Sequence, residues 1–382
     1  MSDPRNQFTY SEQQSLQLRR YPFVPKQNLQ AWDAADSYLL NKVASEIEGK
    51  PLLVNDSFGA LSCALAQHQP INISDSWLAQ QACKTNAELN HIAATAIEYR
   101  SSLEWPEASD ELNWVLIKIP KSLALLEDQL HRLRPLLHSG SRIVAAAMSK
   151  HIHSSTLQLF EKIIGPCTTS LAVKKARLVF AEFNPELEPG QSPYPGQYPL
   201  VEQGLQMQDH AGVFSQGKLD IGSRFFIEHI PADNKAKTII DLGCGNGLLG
   251  IIAAAKNPQA EIVFCDESYM ATATAELNWQ HNIDREQSCR TVNGDCLSPF
   301  KDQSADLILN NPPFHQGNVV GDFIAQQMFN DAKRILKPGG ELWVIGNRHL
   351  GYHKSLKRLF GNCETVAENS KFVVLRAFLA PS

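Results

Sequence analysis

The sequence contains no run of about 18 consecutive apolar residues, so no segment of it is expected to cross a bilayer. Its opening, MSDPRNQFTYSEQQ, has no apolar core, and no secretory leader is expected there. The eight cysteines, at 63, 83, 167, 244, 265, 289, 296 and 363, form no CxxC pair. That excludes the usual zinc ribbon and dithiol redox spacings. Most of the cysteines sit in apolar segments, which is the usage of reduced core thiols in a cytoplasmic protein. Histidines are dispersed, with HIH at 151–153 the one tight group, so no metal site is expected. An excess of positive charge is also missing: the net charge is −5 and the pI about 6.2. Bulk charge therefore does not hold a nucleic acid, and any such contact has to come from local basic groups. Three groups are available: Arg19 and Arg20 with Lys26, Lys174 and Lys175 with Arg177, and Lys354 and Lys357 with Arg358.

What is present is enough for two domains: 382 residues, 43% hydrophobic and 20% charged. A proline- and glycine-rich stretch, FNPELEPGQSPYPGQYPL, interrupts the apolar periodicity between Phe183 and Leu200 and reads as a linker. The expected organisation is a domain over 1–182, a linker over 183–200 and a domain over 201–382. In the second half, strands are predicted at 237–242, 261–266, 289–295, 305–310 and 340–347. Helices are predicted from Leu248, over 268–282, over 322–336 and over 352–360. This alternation is the sequence form of a doubly wound parallel α/β sheet. The two closing strands, CETVAEN and KFVVLRAFL, have a two-residue polar connection and are expected to be antiparallel neighbours.

The first half reads as a faded copy of the second, at an offset of roughly 186–200 residues throughout. PLLVNDSFGALSCALAQ parallels TIIDLGCGNGLLGIIAA, INISDSWLAQQACKTN parallels EIVFCDESYMATATAELN, and LNWVLIKIPKS parallels ADLILNNPPF. The apolar segments survive in the copy and the chemical letters do not. In the glycine-rich segment, Asn55 is expected to stand where Asp241 stands.

Chemistry concentrates where the strands of the second half end. DLGCGNG, Asp241 to Gly247, closes the first strand with glycines at 243, 245 and 247, which allow a sharp turn and close approach of a ligand. No Lys-Ser or Lys-Thr follows, so it is not a phosphate-gripping loop, and an acid at the strand end suits a cationic ligand. S-adenosyl-L-methionine, with an ammonium, a sulfonium and a ribose, has that chemistry. Asp266 ends the second strand about 20 residues later, where a carboxylate accepts ribose hydroxyls or caps the next helix. Asp295 ends the third strand, in reach of an adenine amino group. NNPPF, with Asn311, Pro312, Pro313 and Phe314, ends the fourth. Ligands of open α/β sheets sit outside these carboxyl ends.

Taken together, DLGCGNG, the acids at 266 and 295 and NPPF resemble class I S-adenosylmethionine-dependent methyltransferases acting on a planar nitrogen. The segments GVFSQGKLDIGSRFFIE, NNPPFHQG and LKPGGELWVIGNRHLGYHKSLKRLF narrow the resemblance. They are similar to ribosomal RNA guanine-N2 methyltransferases of the RsmC and RlmG type, and the chain end is most like the large-subunit (23S rRNA) branch. One departure is Gln216, where related sequences often carry a basic residue. The resemblance implies two tandem Rossmann-like methyltransferase domains, the first degenerate and serving RNA recognition or support. It implies S-adenosyl-L-methionine as cofactor, ribosomal RNA as partner, no metal, and a monomer.

By the same resemblance, the Asn311 side-chain oxygen and the Pro312 carbonyl accept the two N–H bonds of an exocyclic amine, while Phe314 stacks on the base. His315 reads as a rim residue, since the methylated amine loses its proton easily. The alternatives are a 16S rRNA enzyme, an NPP-type methyltransferase acting on protein glutamine or DNA adenine, and a non-catalytic RNA-binding module.

Overall fold

Short buried runs alternate with helical segments in both halves, and each half builds the same sheet from them. The computed structural model describes residues 6–11, 14–23, 29–107, 112–214, 217–232, 235–283, 286–313 and 319–381. Lys26, Gln216, Phe314 and His315 lie outside them. The chain divides into two units, Met1–Tyr194 and Pro195–Ser382.

The first unit opens with a hairpin, β1 (Gln7–Thr9) and β2 (Ser15–Gln17), followed by α1 (Ala34–Val43). Then come β3 (Leu52–Val54), α2 (Ala60–Ala64), β4 (Ile71–Ser74), α3 (Trp77–Leu89), β5 (Glu98–Ser101) and β6 (Trp114–Lys118). The unit closes with α4 (Leu123–Leu133), β7 (Arg142–Met148), α5 (Ser154–Ile163), β8 (Cys167–Thr169) and β9 (Ala176–Ala181). Its seven-stranded sheet has the order β5-β4-β3-β6-β7-β9-β8, parallel except for β9.

The second unit repeats the plan. The hairpin is β10 (Gly196–Leu200) and β11 (Leu205–Asp209), followed by α6 (Ile221–Ile227), β12 (Thr238–Leu242), α7 (Leu248–Lys256), β13 (Glu261–Asp266) and α8 (Tyr269–Asn282). Next are β14 (Cys289–Asn293), β15 (Ala305–Asn310), α9 (Val319–Ile335), β16 (Leu336–Asn347), α10 (Tyr352–Phe360), β17 (Glu364–Glu368) and β18 (Phe372–Phe378). The sheet order, β14-β13-β12-β15-β16-β18-β17, is that of the first unit strand for strand. Side chains alternate across it, with Ile239, Phe264 and Leu309 in the core of one face and Ile240, Val263 and Ile308 in the core of the other. Each such residue contributes about 1.5–3 kcal/mol by leaving water.

Two expectations change in detail. β16 starts at Leu336 rather than 340, because its KPGG segment carries a register shift against β15 and Gly339 adopts φ 79°. The proline-rich stretch is also more ordered than its composition suggests. Proline bars helix there but leaves carbonyls free, and Arg134 donates to those of Asn184 and Leu187 at 3.0 and 2.5 Å. Ser192 Oγ donates to Asp128, and from Gly196 onward the chain is a strand of the second unit.

Both hairpins are held by asparagines one helical turn apart. Asn278 of α8 exchanges hydrogen bonds with both backbone groups of Gln208, and Asn282 does the same with Gln206. In the first unit Asn86 of α3 holds Arg19 and Asn90 holds Gln17 in the same manner.

Candidate active site

The glycine turn after β12 lies across the end of β13. Gly243 and Cys244 donate backbone N–H bonds to Cys265 O at 2.8 and 3.1 Å, and Gly245 N donates to Asp266 Oδ2 at 3.0 Å. Gly247 has to be glycine: its φ is 80°, and an added Cβ would meet the Ala275 Cβ at 2.8 Å. Asn246, between these glycines, donates to Tyr198 Oη at 3.0 Å and to Asp209 Oδ1 at 3.3 Å, so the β10–β11 hairpin braces the turn. Asn278 adds a bond to Asn246 O at 2.9 Å.

Three aspartates ring this edge. Asp241 is fully buried and takes a single hydrogen bond, from Gly250 N, on Oδ2. Its Oδ1 has no partner among the described residues. Burial, with Asp266 nearby, pushes its pKa up to about 8 against the pull of the Gly250 amide. Asp266 is committed to the turn and does not cap the next helix. Ser268 caps α8 by accepting from Ala271 N at 3.0 Å, while Asp266 Oδ1 accepts from Ser268 N. Asp295 is buried beyond β14 and accepts from Gln327 Nε2 of α9 at 2.8 Å; burial raises its pKa and that bond opposes the rise.

The register pairs Leu242 with Asn310, so Asn311 emerges beside Gly243. Asn310 is fully buried; its Nδ2 donates to Leu242 O at 2.9 Å, and its Oδ1 has no partner among the described residues. Asn311 Nδ2 donates to Ser223 Oγ of α6 at 3.1 Å, and its buried Oδ1 is likewise unpartnered among the described residues. Pro312 is buried and Pro313 exposed. Buried acceptors without donors are costly, about 1–3 kcal/mol each, so three at one sheet edge mark a place built for a ligand that brings donors or positive charge. The residues expected at 241, 243, 245, 247, 266, 295 and 311–313 thus share one edge. Sequence reading missed Asn310, Asn246, Asn278 and Ser223. The NxxxN spacing common to NAELN and NWQHN is the signal that would have found Asn278.

The same edge of the first unit is closed. Register places Leu52 level with Ile71 and Val115, as Ile240 is level with Val263 and Ile308. Gly59, with φ 84°, approaches Cys83 as Gly247 approaches Ala275. By that match Leu53, not Asn55, stands where Asp241 stands, and Asn55 with φ 66° takes the place of Gly243. The misplacement arose because β3 is a short LLV run, buried throughout, whose letters carry no phase. Ser74 and Leu103 replace Asp266 and Asp295. Lys118 replaces Asn311, and its ammonium lies 2.8 Å from Asp33 and 2.6 Å from Asp36. Burial works against that ammonium, but the two carboxylates outweigh it and raise its pKa.

Residues 6–185 match the family described as the RLMG N-terminal domain, and residues 204–376 match the methyltransferase small domain. The chain is 47% identical to the ribosomal RNA large subunit methyltransferase G of Streptomyces griseus, over 97% of this chain and 99% of that protein. The chain belongs to the ribosomal RNA large subunit methyltransferase G family. The protein of that name from Yersinia enterocolitica is 49% identical over 95% of this chain and 92% of its own length. The fold of both units is that of a solved Thermus thermophilus 16S rRNA N2 G1207 methyltransferase in complex with AdoMet and guanosine. That match has a TM-score of 0.76 at 20% identity and covers 98% of each chain. Both units therefore carry the class I methyltransferase sheet. All eight cysteines are free. Among the described residues no cluster of three metal-binding side chains occurs, and no helix is long and apolar enough to cross a membrane.

Proposed function

We propose that this chain transfers a methyl group from S-adenosyl-L-methionine to the exocyclic N2 of a guanine in 23S ribosomal RNA. The observation that carries this reading is the Asn311 side chain, tied down by its NH2 end and presenting beside the glycine turn a buried oxygen with no partner among the described residues. Bound there, the cofactor supplies an electrophilic methyl on a sulfonium. The protein's own groups fit it. The φ-positive glycines open the edge to close approach, Asp241 offers a carboxylate oxygen to the cationic end, Asp266 faces the ribose, and Asp295 accepts from the adenine amine.

The nucleophile is a poor one, since the guanine amine donates its lone pair into the ring. Asn311 Oδ1 and the Pro312 carbonyl take its two N–H bonds and stabilise the positive charge that builds on nitrogen during attack. Pro313 limits the freedom of that carbonyl. Phe314 holds the base face by stacking, about 1–3 kcal/mol. A paired guanine does not reach such an edge, so the target is unpaired or flipped out.

The first unit keeps none of the cofactor acids and serves to hold RNA. Lys121, Lys150, His151 and His153 share a neighbourhood at the carboxyl end of β6 and β7. The Lys174–Lys175 turn joins them, its carbonyl accepting from Ser149 N at 2.7 Å. The enzyme acts as a monomer in the cytoplasm.

The test is transfer of labelled methyl onto deproteinised 23S and 16S rRNA, and onto assembled subunits, from cells lacking this protein. The expected result is one modified guanine in 23S rRNA. Incorporation into 16S rRNA would move the target to the small subunit, and label in protein or DNA alone would overturn the reading. Replacing Lys121, Lys150 and Lys174 by glutamate is expected to weaken RNA binding and flatten its salt dependence.

A further inference from the structure

We infer that Ser223 is a positioning residue for the methyl transfer: its hydroxyl, by accepting from Asn311 Nδ2, anchors the outer end of the Asn311 amide so that the oxygen faces the target amine. The inference rests on the reading that Asn311 Oδ1 receives that amine.

An asparagine side chain is nearly symmetric in shape and opposite in polarity at its two ends. With the oxygen inward it accepts an N–H of the target. With the nitrogen inward it sets N–H against N–H and repels the target. A partner at the outer end holds the amide in one pose; a serine hydroxyl can accept from the nitrogen or donate to the oxygen, and here it accepts. Ser223 is that partner, at 3.1 Å. It is the third residue of α6, whose first turn is held by Asp220 accepting from Ser223 N at 3.0 Å. The hydroxyl is therefore mounted on a capped helix end rather than on a free loop.

The first unit supplies independent support. There α1 is capped by Asp33, and Asp36, the third residue of that helix, accepts from Lys118 Nζ at 2.6 Å. Lys118 occupies the register of Asn311, and Asp36 stands to Asp33 as Ser223 stands to Asp220. Both members of the pair differ between the units, yet the contact is kept and runs in one direction: the strand-end residue donates and the helix residue accepts. The position accepts in both units, from an amide in one and an ammonium in the other, so the fold places a contact at this point in each.

The experiment compares Ser223→Ala, Ser223→Thr and Asn311→Ala in the full chain, with 23S rRNA lacking the modification as substrate. Single-turnover rate, cofactor affinity by calorimetry and thermal stability are read for each. Ser223→Ala is expected to slow transfer roughly 10- to 100-fold, as small misplacements of a reacting group do, with cofactor affinity within about twofold of the native value. Ser223→Thr, which keeps the hydroxyl, is expected to restore most of the rate. If Asn311→Ala is slow while Ser223→Ala transfers at the native rate, the role of Ser223 is overturned and that of Asn311 stands. If Asn311→Ala itself transfers at the native rate, the reading of the site fails first. If Ser223→Ala and Ser223→Thr lose stability and cofactor affinity in parallel with rate, Ser223 is structural and the inference is overturned.

Discussion

At the end of β6 in the first unit stands a lysine locked between two aspartates; at the end of β15 in the second stands an asparagine whose side-chain oxygen has no partner among the described residues. The sheets that carry them have the same strand order, and the helices opposite them are capped alike. The difference shows that the fold demands a donor–acceptor contact at this point and is indifferent to its chemistry. Satisfying every partner inside the protein makes a structural core. Leaving one acceptor over makes a site. The glycine turn teaches the same lesson: the amide of Gly250 is held by Asp241, whereas that of Ser62 at the matching place is held by Asp56 from the loop, with the Ser62 hydroxyl as a second donor.

The largest effect expected from breaking this comparison is on stability. The Lys118 and Asp36 side chains are only 13% and 9% exposed, so Lys118→Ala strands a buried carboxylate and is expected to cost about 3–5 kcal/mol in urea unfolding. Burial holds the Asp36 carboxyl up at about 6 even with the lysine in place, and without the lysine it rises further, so above pH 6 the folded variant keeps a proton that the unfolded chain has released. The deficit should therefore shrink toward pH 5 and grow toward pH 8. The double change Lys118→Asn with Asp36→Ser, which imports the pair of the second unit, should recover much of the loss.

Next in size is Asn311→Ala, expected to slow methyl transfer roughly 100- to 1000-fold with cofactor affinity retained, measured by label incorporation and calorimetry. A collapse of cofactor affinity instead would show that Asn311 serves the cofactor and not the base. Smaller again are the asparagine clamps. Asn278→Ala and Asn86→Ala should each cost about 1–3 kcal/mol of stability by leaving backbone groups of the hairpin unpaired. Only Asn278→Ala should also weaken cofactor binding, because the same amide holds the turn at Asn246.

The smallest effect is a pH dependence. Asp241, with a pKa of about 8 in the empty site, is mostly protonated at pH 6, and a cationic ligand requires its carboxylate. Cofactor affinity should rise between pH 6 and 7.5 by up to about tenfold per pH unit, with the slope absent in Asp241→Asn.

Much of this was legible in the sequence. The strands from Lys237 onward announce themselves as short apolar runs ending in acids or asparagine, and the duplication follows from their spacing. The shared edge was legible because Asp241, Gly243, Asp266, Asp295 and Asn311 each sit at or just past a strand end that the pattern already marked. What escaped notice lies off those ends. Ser223 is an ordinary polar letter in a short helix until the strand beside it is placed. Asn278 and Asn282 bond backbone far away in sequence, so no local pattern predicts their partners. The first three-residue strand of the copy had no alternation to set its phase, and the alignment slipped by two positions there.

The clamps also bear on how the chain is made. Asn90 bonds Gln17 across 73 residues, and Asn282 bonds Gln206 across 76. At a synthesis rate of about 5–20 residues per second, each hairpin leaves the ribosome roughly 4–15 s before the helix that fastens it. During that interval its strands lack the clamp that later holds them. Each hairpin is thus fastened only when the third helix of its half has emerged, and the strands that complete the sheet of that half follow later still.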